Sequence, residues 1–115
     1  MKALTEGYRI PIEICPTSNL RTLQLANYWQ HPTVGRWLDL NYPIVICTDD
    51  FGVFKTTLSE EYLHVANAFG LSRRRVTQLA RDAATHAFRI AGDTAAAAAC
   101  ERVCSECEAL LRELA

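Results

Sequence analysis

The stretch Tyr42-Pro43-Ile44-Val45-Ile46-Cys47-Thr48-Asp49-Asp50 decides how the rest of the chain is read. It is apolar without alternation as far as Cys47 and then turns abruptly polar. Antiparallel strands with one wet face alternate, whereas a short continuous apolar run fits a parallel strand covered on both faces. Parallel strands must be joined by a crossover, so an earlier strand and an intervening helix are expected. Residues 8–15, YRIPIEIC, supply the strand, with Ile10, Ile12 and Ile14 leading into Cys15-Pro16-Thr17-Ser18-Asn19, a cluster of turn formers. Pro11 has no N–H to give a central ladder, which places the strand core at Ile12 to Cys15. Residues 32–40, PTVGRWLDL, supply the helix. Pro32 sits in its first turn and Val34, Trp37 and Leu38 face inward, while Gly35 works against it.

Beyond Phe54 the pattern is helical throughout. Thr57-Leu58-Ser59-Glu60 offers a capping box, and Tyr62, Val65, Ala66 and Phe69 form a stripe that stops at Gly70. Ser72 caps a second helix with Val76, Leu79, Ala80, Ala83 and Ala87 or Phe88 inward. Gly92-Asp93 breaks the chain, and Thr94 to Leu114 reads as a long helix opening on five alanines, the best helix former. The fold class is therefore α/β, with strand, helix, strand and then helices.

Composition excludes several classes. Of 115 residues half are hydrophobic and 22% charged, which describes one ordinary globular domain and not a disordered chain. Twelve Lys and Arg against thirteen Asp and Glu leave a formal charge of −1, so no basic nucleic-acid surface extends over the whole chain. No apolar run approaches the roughly 20 residues of a membrane helix. MKALTEGYRI lacks the apolar region of a secretory signal. Five cysteines, an odd number, favour a reduced intracellular setting, and a cytoplasmic location is expected.

The polar residues gather where each strand ends. In parallel α/β sheets and barrels the catalytic groups lie on the loops leaving the carboxyl ends of the strands. Here one strand ends in CPTSN and the other in TDD. Adjacent carboxylates repel each other unless a cation or donor is held there. The plainer alternative is that Asp49 and Asp50 cap the segment that follows.

These residues are familiar in combination. Ile12-Glu13-Ile14-Cys15-Pro16-Thr17-Ser18-Asn19, then His31-Pro32, then Thr48-Asp49-Asp50, then Thr57-Leu58-Ser59-Glu60-Glu61-Tyr62, resemble the C-terminal third of the adenosine deaminase family in order and spacing. Within it, Ile46 to Phe54 is most similar to the adenosine deaminase-like branch, which acts on N6-substituted AMP. The resemblance implies the C-terminal fragment, two parallel strands plus helices, of a zinc-dependent (β/α)8 TIM barrel. It implies residues 1–90 as the barrel part and residues 91–115 as a C-terminal helix. It also implies a hydrolase of purine nucleotide metabolism that replaces a purine 6-amino or 6-alkylamino group with oxygen. Asp49 then takes the place of a Zn²⁺ ligand and Asp50 that of the acid that hydrogen-bonds the purine of the nucleoside or nucleotide. Zinc lowers the pKa of bound water toward ~7 and so generates hydroxide without a strong base, and an acid must protonate the leaving amine.

The family's remaining zinc ligands, a His-x-His pair and a later histidine, and its catalytic glutamate and histidine belong to earlier strands. The chain's own His31, His64 and His86 match none of those positions and read as surface or packing residues. No catalytic set is complete here. A (β/α)8 barrel takes about 250 residues, so the isolated chain is expected to be inactive and to need the missing N-terminal strands, with their ligands encoded upstream of Met1. Its bare strand edges should leave it marginal or self-associating.

Two other patterns compete. Residues 58–83, with Gly70 between two helices and Ser72-Arg73-Arg74-Arg75 opening the second, also read as a DNA-binding helix-turn-helix. The overall charge and the unexplained Asp pair weigh against it. Cys100, Cys104 and Cys107 have the spacing of a radical S-adenosylmethionine cluster motif. On a continuous helix, however, the first and last are about 10 Å apart along the axis. With Leu111 and Leu114 they alternate spacings of four and three, which is one apolar packing seam.

Overall fold

The structure, a computed structural model, describes residues 9–87 and 91–115. Tyr8 and Phe88, named above for the first strand and for the inward face of a helix, lie outside the described residues. The chain separates into two compact units, one ending at Leu71 and one beginning at Ser72.

In the first unit the two apolar runs pair as parallel neighbours. Strand β1 (Ile12–Ile14) lies beside β2 (Ile44–Ile46), with Ile12 opposite Ile44 and Ile14 opposite Ile46. The ladder is closed at its ends by Ile12 N–H to the Pro43 carbonyl, 3.1 Å, and Cys47 N–H to the Ile14 carbonyl, 2.8 Å. Coverage differs from the expectation of two buried faces. Ile14, Ile44 and Ile46 are buried, but Glu13 is exposed and its neighbour Val45 only half-buried. A strand alternates its side chains between faces, and in this chain only one face of the pair receives full cover.

The segment after β1 corrects the sequence reading. Cys15-Pro16-Thr17-Ser18-Asn19 is not a turn but the start of helix α1 (Pro16–Thr22), so the strand ends at Ile14 rather than Cys15. Proline at the first helical position has its φ already set and gives up an N–H that would find no intrahelical partner. A single 3₁₀ turn, Tyr28–Gln30, precedes α2 (Val34–Asp39). Helix α2 begins two residues after Pro32 and contains Gly35 despite its low propensity. A Cβ at Gly35 would lie 3.4 Å from the Phe69 ring. A short helix that sequence reasoning did not identify, α3 (Phe51–Phe54), follows the acidic pair.

Helix α4 (Leu58–Phe69) matches its sequence signals. Glu60 N–H donates to Thr57 Oγ1, Thr57 N–H donates to the Glu60 carboxylate at 2.8 Å, and Gly70 ends the helix at φ +64°. Val34 and Val65 complete the core of this unit with the strand isoleucines.

The second unit is two helices, α5 (Arg73–His86) and α6 (Thr94–Glu113), capped by Ser72 and Asp93. Their packing buries Leu79 and Leu111. On α5, Val76, Ala80 and Ala83 are half-buried, but Ala87 lies beyond the helix and is exposed. Thr77 is buried instead, made possible by its hydroxyl donating to the Arg73 carbonyl at 2.8 Å. Cys100, Cys104, Cys107 and Leu114 are half-buried and Leu111 is buried, in line with the seam expected from their spacing. Among the described residues no helix is long and apolar enough to cross a membrane.

Candidate active site

The carboxyl ends of β1 and β2 open on the same side, and one hydrogen bond shows it. Ser18, in the first turn of α1 and 5% exposed, donates its hydroxyl to Asp49 Oδ2 at 2.9 Å. Asp49 sits three residues beyond β2 with φ +56°. That left-handed conformation costs an L-residue about 1–2 kcal/mol, least for glycine, asparagine and aspartate, whose short side chains bond locally. The chain turns sharply there and leaves the Asp49 carboxylate exposed at the strand end.

Asp50 does something different. Its Oδ1 accepts the Val53 N–H at 2.9 Å and caps α3. Of the two acids weighed as possible caps, Asp50 is one and Asp49 is not.

Joining the segments that carry Ser18 and this pair is a residue that sequence reasoning passed over as part of the helix start. Glu61 is fully buried, 0% exposed. Its carboxylate accepts the Thr17 N–H at 2.9 Å, the Thr17 hydroxyl, and the Thr56 hydroxyl at 2.5 Å. Thr17 Oγ1 also lies 3.1 Å from the Tyr28 hydroxyl, and the Tyr28 ring stacks on His64 with centroids 4.2 Å apart. The local sequence gives no signal for this cluster.

His86 is exposed and His64 stacks, as surface and packing residues do. His31 has a defined task. Its Nδ1 accepts the N–H groups of Thr33 and Val34, both 3.3 Å, at the start of α2, which makes Nε2 the protonated nitrogen that donates to Asn19 Oδ1 at 3.0 Å. Burial lowers its pKa below the usual histidine value. The signal was present in the sequence as His-Pro-Thr directly before a helix.

Zinc needs three or four protein ligands within bonding distance. Asp49 has the right chemistry for one. His31 already uses both ring nitrogens. Cys15, at the end of β1, is held as the neutral thiol, since burial and the nearby Cys47 and Asp49 push its pKa up to about 11, and burial raises Cys47 as well. Among the described residues no group of three His, Cys, Asp or Glu side chains could hold a metal, the cysteine seam of α6 included. The described residues of this chain do not by themselves fit a zinc ion.

Comparison with known proteins bears on what such a half-built site belongs to. The family profile for adenosine deaminase matches residues 1–102. Human N6-methyl-AMP deaminase is 42% identical over 81 residues, 70% of this chain and 22% of that protein. The Arabidopsis thaliana N6-mAMP deaminase is 40% identical over 83 residues, 72% of this chain and 23% of that protein. Among solved structures, the Arabidopsis protein complexed with IMP superposes with a TM-score of 0.75 at 31% identity, covering 97% of this chain and 31% of that one. A GMP complex of the same protein matches at a TM-score of 0.75 and 29% identity. The chain thus spans between a fifth and a third of the relatives it matches, and its two parallel strands and helices correspond to a fragment of their barrel. None of these matches supports a DNA-binding role for residues 58–83, and Arg74 from the arginine run donates to the Leu111 carbonyl at 3.3 Å instead. The profile extends over most of the sequence, and the strand-end residues fall in that family's order: this chain belongs to the adenosine deaminase family.

Proposed function

We propose that the chain is the C-terminal part of a purine deaminase that hydrolyses the 6-amino or 6-alkylamino group of adenosine or N6-substituted AMP, and that the nucleotide is its substrate. The similarity to N6-methyl-AMP deaminases supports the substrate class. The observation that carries the reading is the Ser18–Asp49 hydrogen bond. It joins the two strand-end loops on the side where a parallel barrel keeps its chemistry.

In this reading Asp49 is a metal ligand and Asp50 contacts the purine ring. Capping α3 does not compete with that contact, because a carboxylate has two oxygens and the cap uses one. Zinc is the proposed cofactor of the complete enzyme, which would supply a hydroxide nucleophile at neutral pH. One carboxylate cannot hold it, so in this reading the other ligands and the general acid come from other strands of the barrel. Residues 1–90 are the barrel portion and residues 91–115 a C-terminal helix, and the enzyme is cytoplasmic.

Complementation tests this. The chain is co-expressed with a truncated Arabidopsis N6-mAMP deaminase that lacks the matching C-terminal segment, and conversion of N6-methyl-AMP to IMP is followed by ultraviolet absorbance. Neither part alone should turn over, the mixture should, and Asp49→Ala should abolish both turnover and bound zinc. Turnover by the isolated chain, or none from a folded mixture, sinks the proposal.

A further inference from the structure

We propose that Glu61 is a positioning residue that clamps both strand-end loops at once and so sets the Ser18–Asp49 geometry. Its importance to catalysis rests on the deaminase reading above; the clamp itself does not.

Four observations carry it. First, Glu61 is 0% exposed, and its carboxylate meets the N–H and O–H donors of Thr17 and Thr56. Burying a carboxylate is costly, and an apolar residue of similar volume often serves stability as well or better. Second, Glu61 is not needed to start its own helix, because Thr57 and Glu60 already form the capping box there. Third, α1 has no side-chain cap of its own at Cys15, and Pro16 has no N–H. The Thr17 N–H is therefore the first orphan donor of α1, and Glu61 receives it from a helix 44 residues away. Fourth, the remaining bond goes to Thr56, which follows α3 and whose own N–H donates to the Phe51 carbonyl at 3.3 Å.

One carboxylate thus holds the residue directly before Ser18 and the end of the segment that begins with Asp49 and Asp50. Hydrogen bonds to an ionised acceptor are about twice as strong as neutral ones. The loops cannot shift relative to each other without breaking one of them.

Amide exchange and chemical shifts of the full ¹⁵N-labelled chain test the clamp. In Glu61→Gln, the Thr17 N–H should exchange about tenfold faster or more, the equivalent of one charge-assisted hydrogen bond. The Ser18 and Asp49 resonances should move, while Cys47 N–H, bonded to Ile14, keeps its protection. Thr56→Val should displace the Asp49 resonance and Thr56→Ser should restore it, and this pair decides the matter should Glu61→Gln fail to fold. Unmoved Ser18 and Asp49 resonances in a folded Glu61→Gln chain would overturn the proposal. So would equal loss of protection at Cys47, or identical spectra for the two Thr56 variants. The complementation assay uses the wild-type chain, so its failure and the failure of the clamp are separate results.

Discussion

In residues 9–71 the buried set mixes Ile14, Val34, Ile44, Ile46 and Val65 with Thr17, Ser18, Thr56 and Glu61, and the polar members lie on or under loops that leave a strand. Among the described residues of 72–115 it is reduced to Leu79 and Leu111 with Thr77, whose hydroxyl is satisfied inside its own helix. The first region accepts the desolvation of polar groups and recovers it through bonds between distant segments. The second satisfies its buried hydroxyl and its helix caps locally and packs through an apolar seam, with the Arg74 bond to the Leu111 carbonyl as a polar tie between its helices. Buried polar groups resist any arrangement that leaves them unpaired, so they fix one loop geometry. Apolar contacts are less particular. The contrast separates a region whose loop geometry is fixed by buried polar bonds from one whose packing is set by apolar contact.

Leu111→Ala attacks the seam and has the largest expected effect. It should cost about 2–3 kcal/mol, read in hydrogen exchange as lost protection in α5 and α6. Protection of Cys47 N–H should persist. A uniform loss would mean that the two regions fold as one and that the contrast is false.

Titration of His31 sharpens the same contrast from the polar side. Its neutral ring caps α2, and its folded pKa lies below the ordinary value near 6.5. The cap's contribution is therefore fully present above the unfolded pKa and is lost as pH falls through the lowered folded pKa, where Nδ1 gains a proton and cannot accept. A cap of this kind contributes about 1 kcal/mol. Thr33 and Val34 amides should lose protection on acidification below pH 6.5, and His31→Ala should remove that pH dependence while leaving α5 and α6 unchanged. An acid-induced change of equal size in α5 and α6 would count against it.

The smallest effect is a gain. Gly35→Ala adds a methyl 3.4 Å from the Phe69 ring, an ordinary contact, in a helix that tolerates glycine poorly. Thermal unfolding should show about 0.5–1 kcal/mol of added stability. Destabilisation would show that the α2–α4 approach is tighter than this contact implies.

Much of the fold was legible because its signals are local. Thr57 with Glu60, Ser72 and Gly70 mark helix ends through bonds to residues three or four positions away, and an unalternating Ile44-Val45-Ile46 marks a parallel strand. Helices α1 and α3 were not legible for a related reason. Proline, serine, threonine, asparagine and aspartate open helices with the same chemistry that makes turns, so CPTSN and TDD are ambiguous until the chain continues. Glu61 was invisible because its partner Thr17 is 44 residues away. Asp49 and Asp50 were singled out by the order of motifs, but which of them caps α3 and which meets Ser18 depends on a backbone angle that no spacing encodes.

The left-handed backbone at Asp49 carries a consequence for how this site is lost over generations. Besides glycine, the residues that rest easily in that conformation are aspartate and asparagine, and their codons differ by a single base. An Asp49→Asn replacement would therefore preserve the turn and a partner for Ser18 while erasing the negative charge. In the deaminase reading proposed above, one transition at this codon would remove the metal-binding charge and keep an intact fold, so decay at Asp49 would leave no structural scar by which to date it.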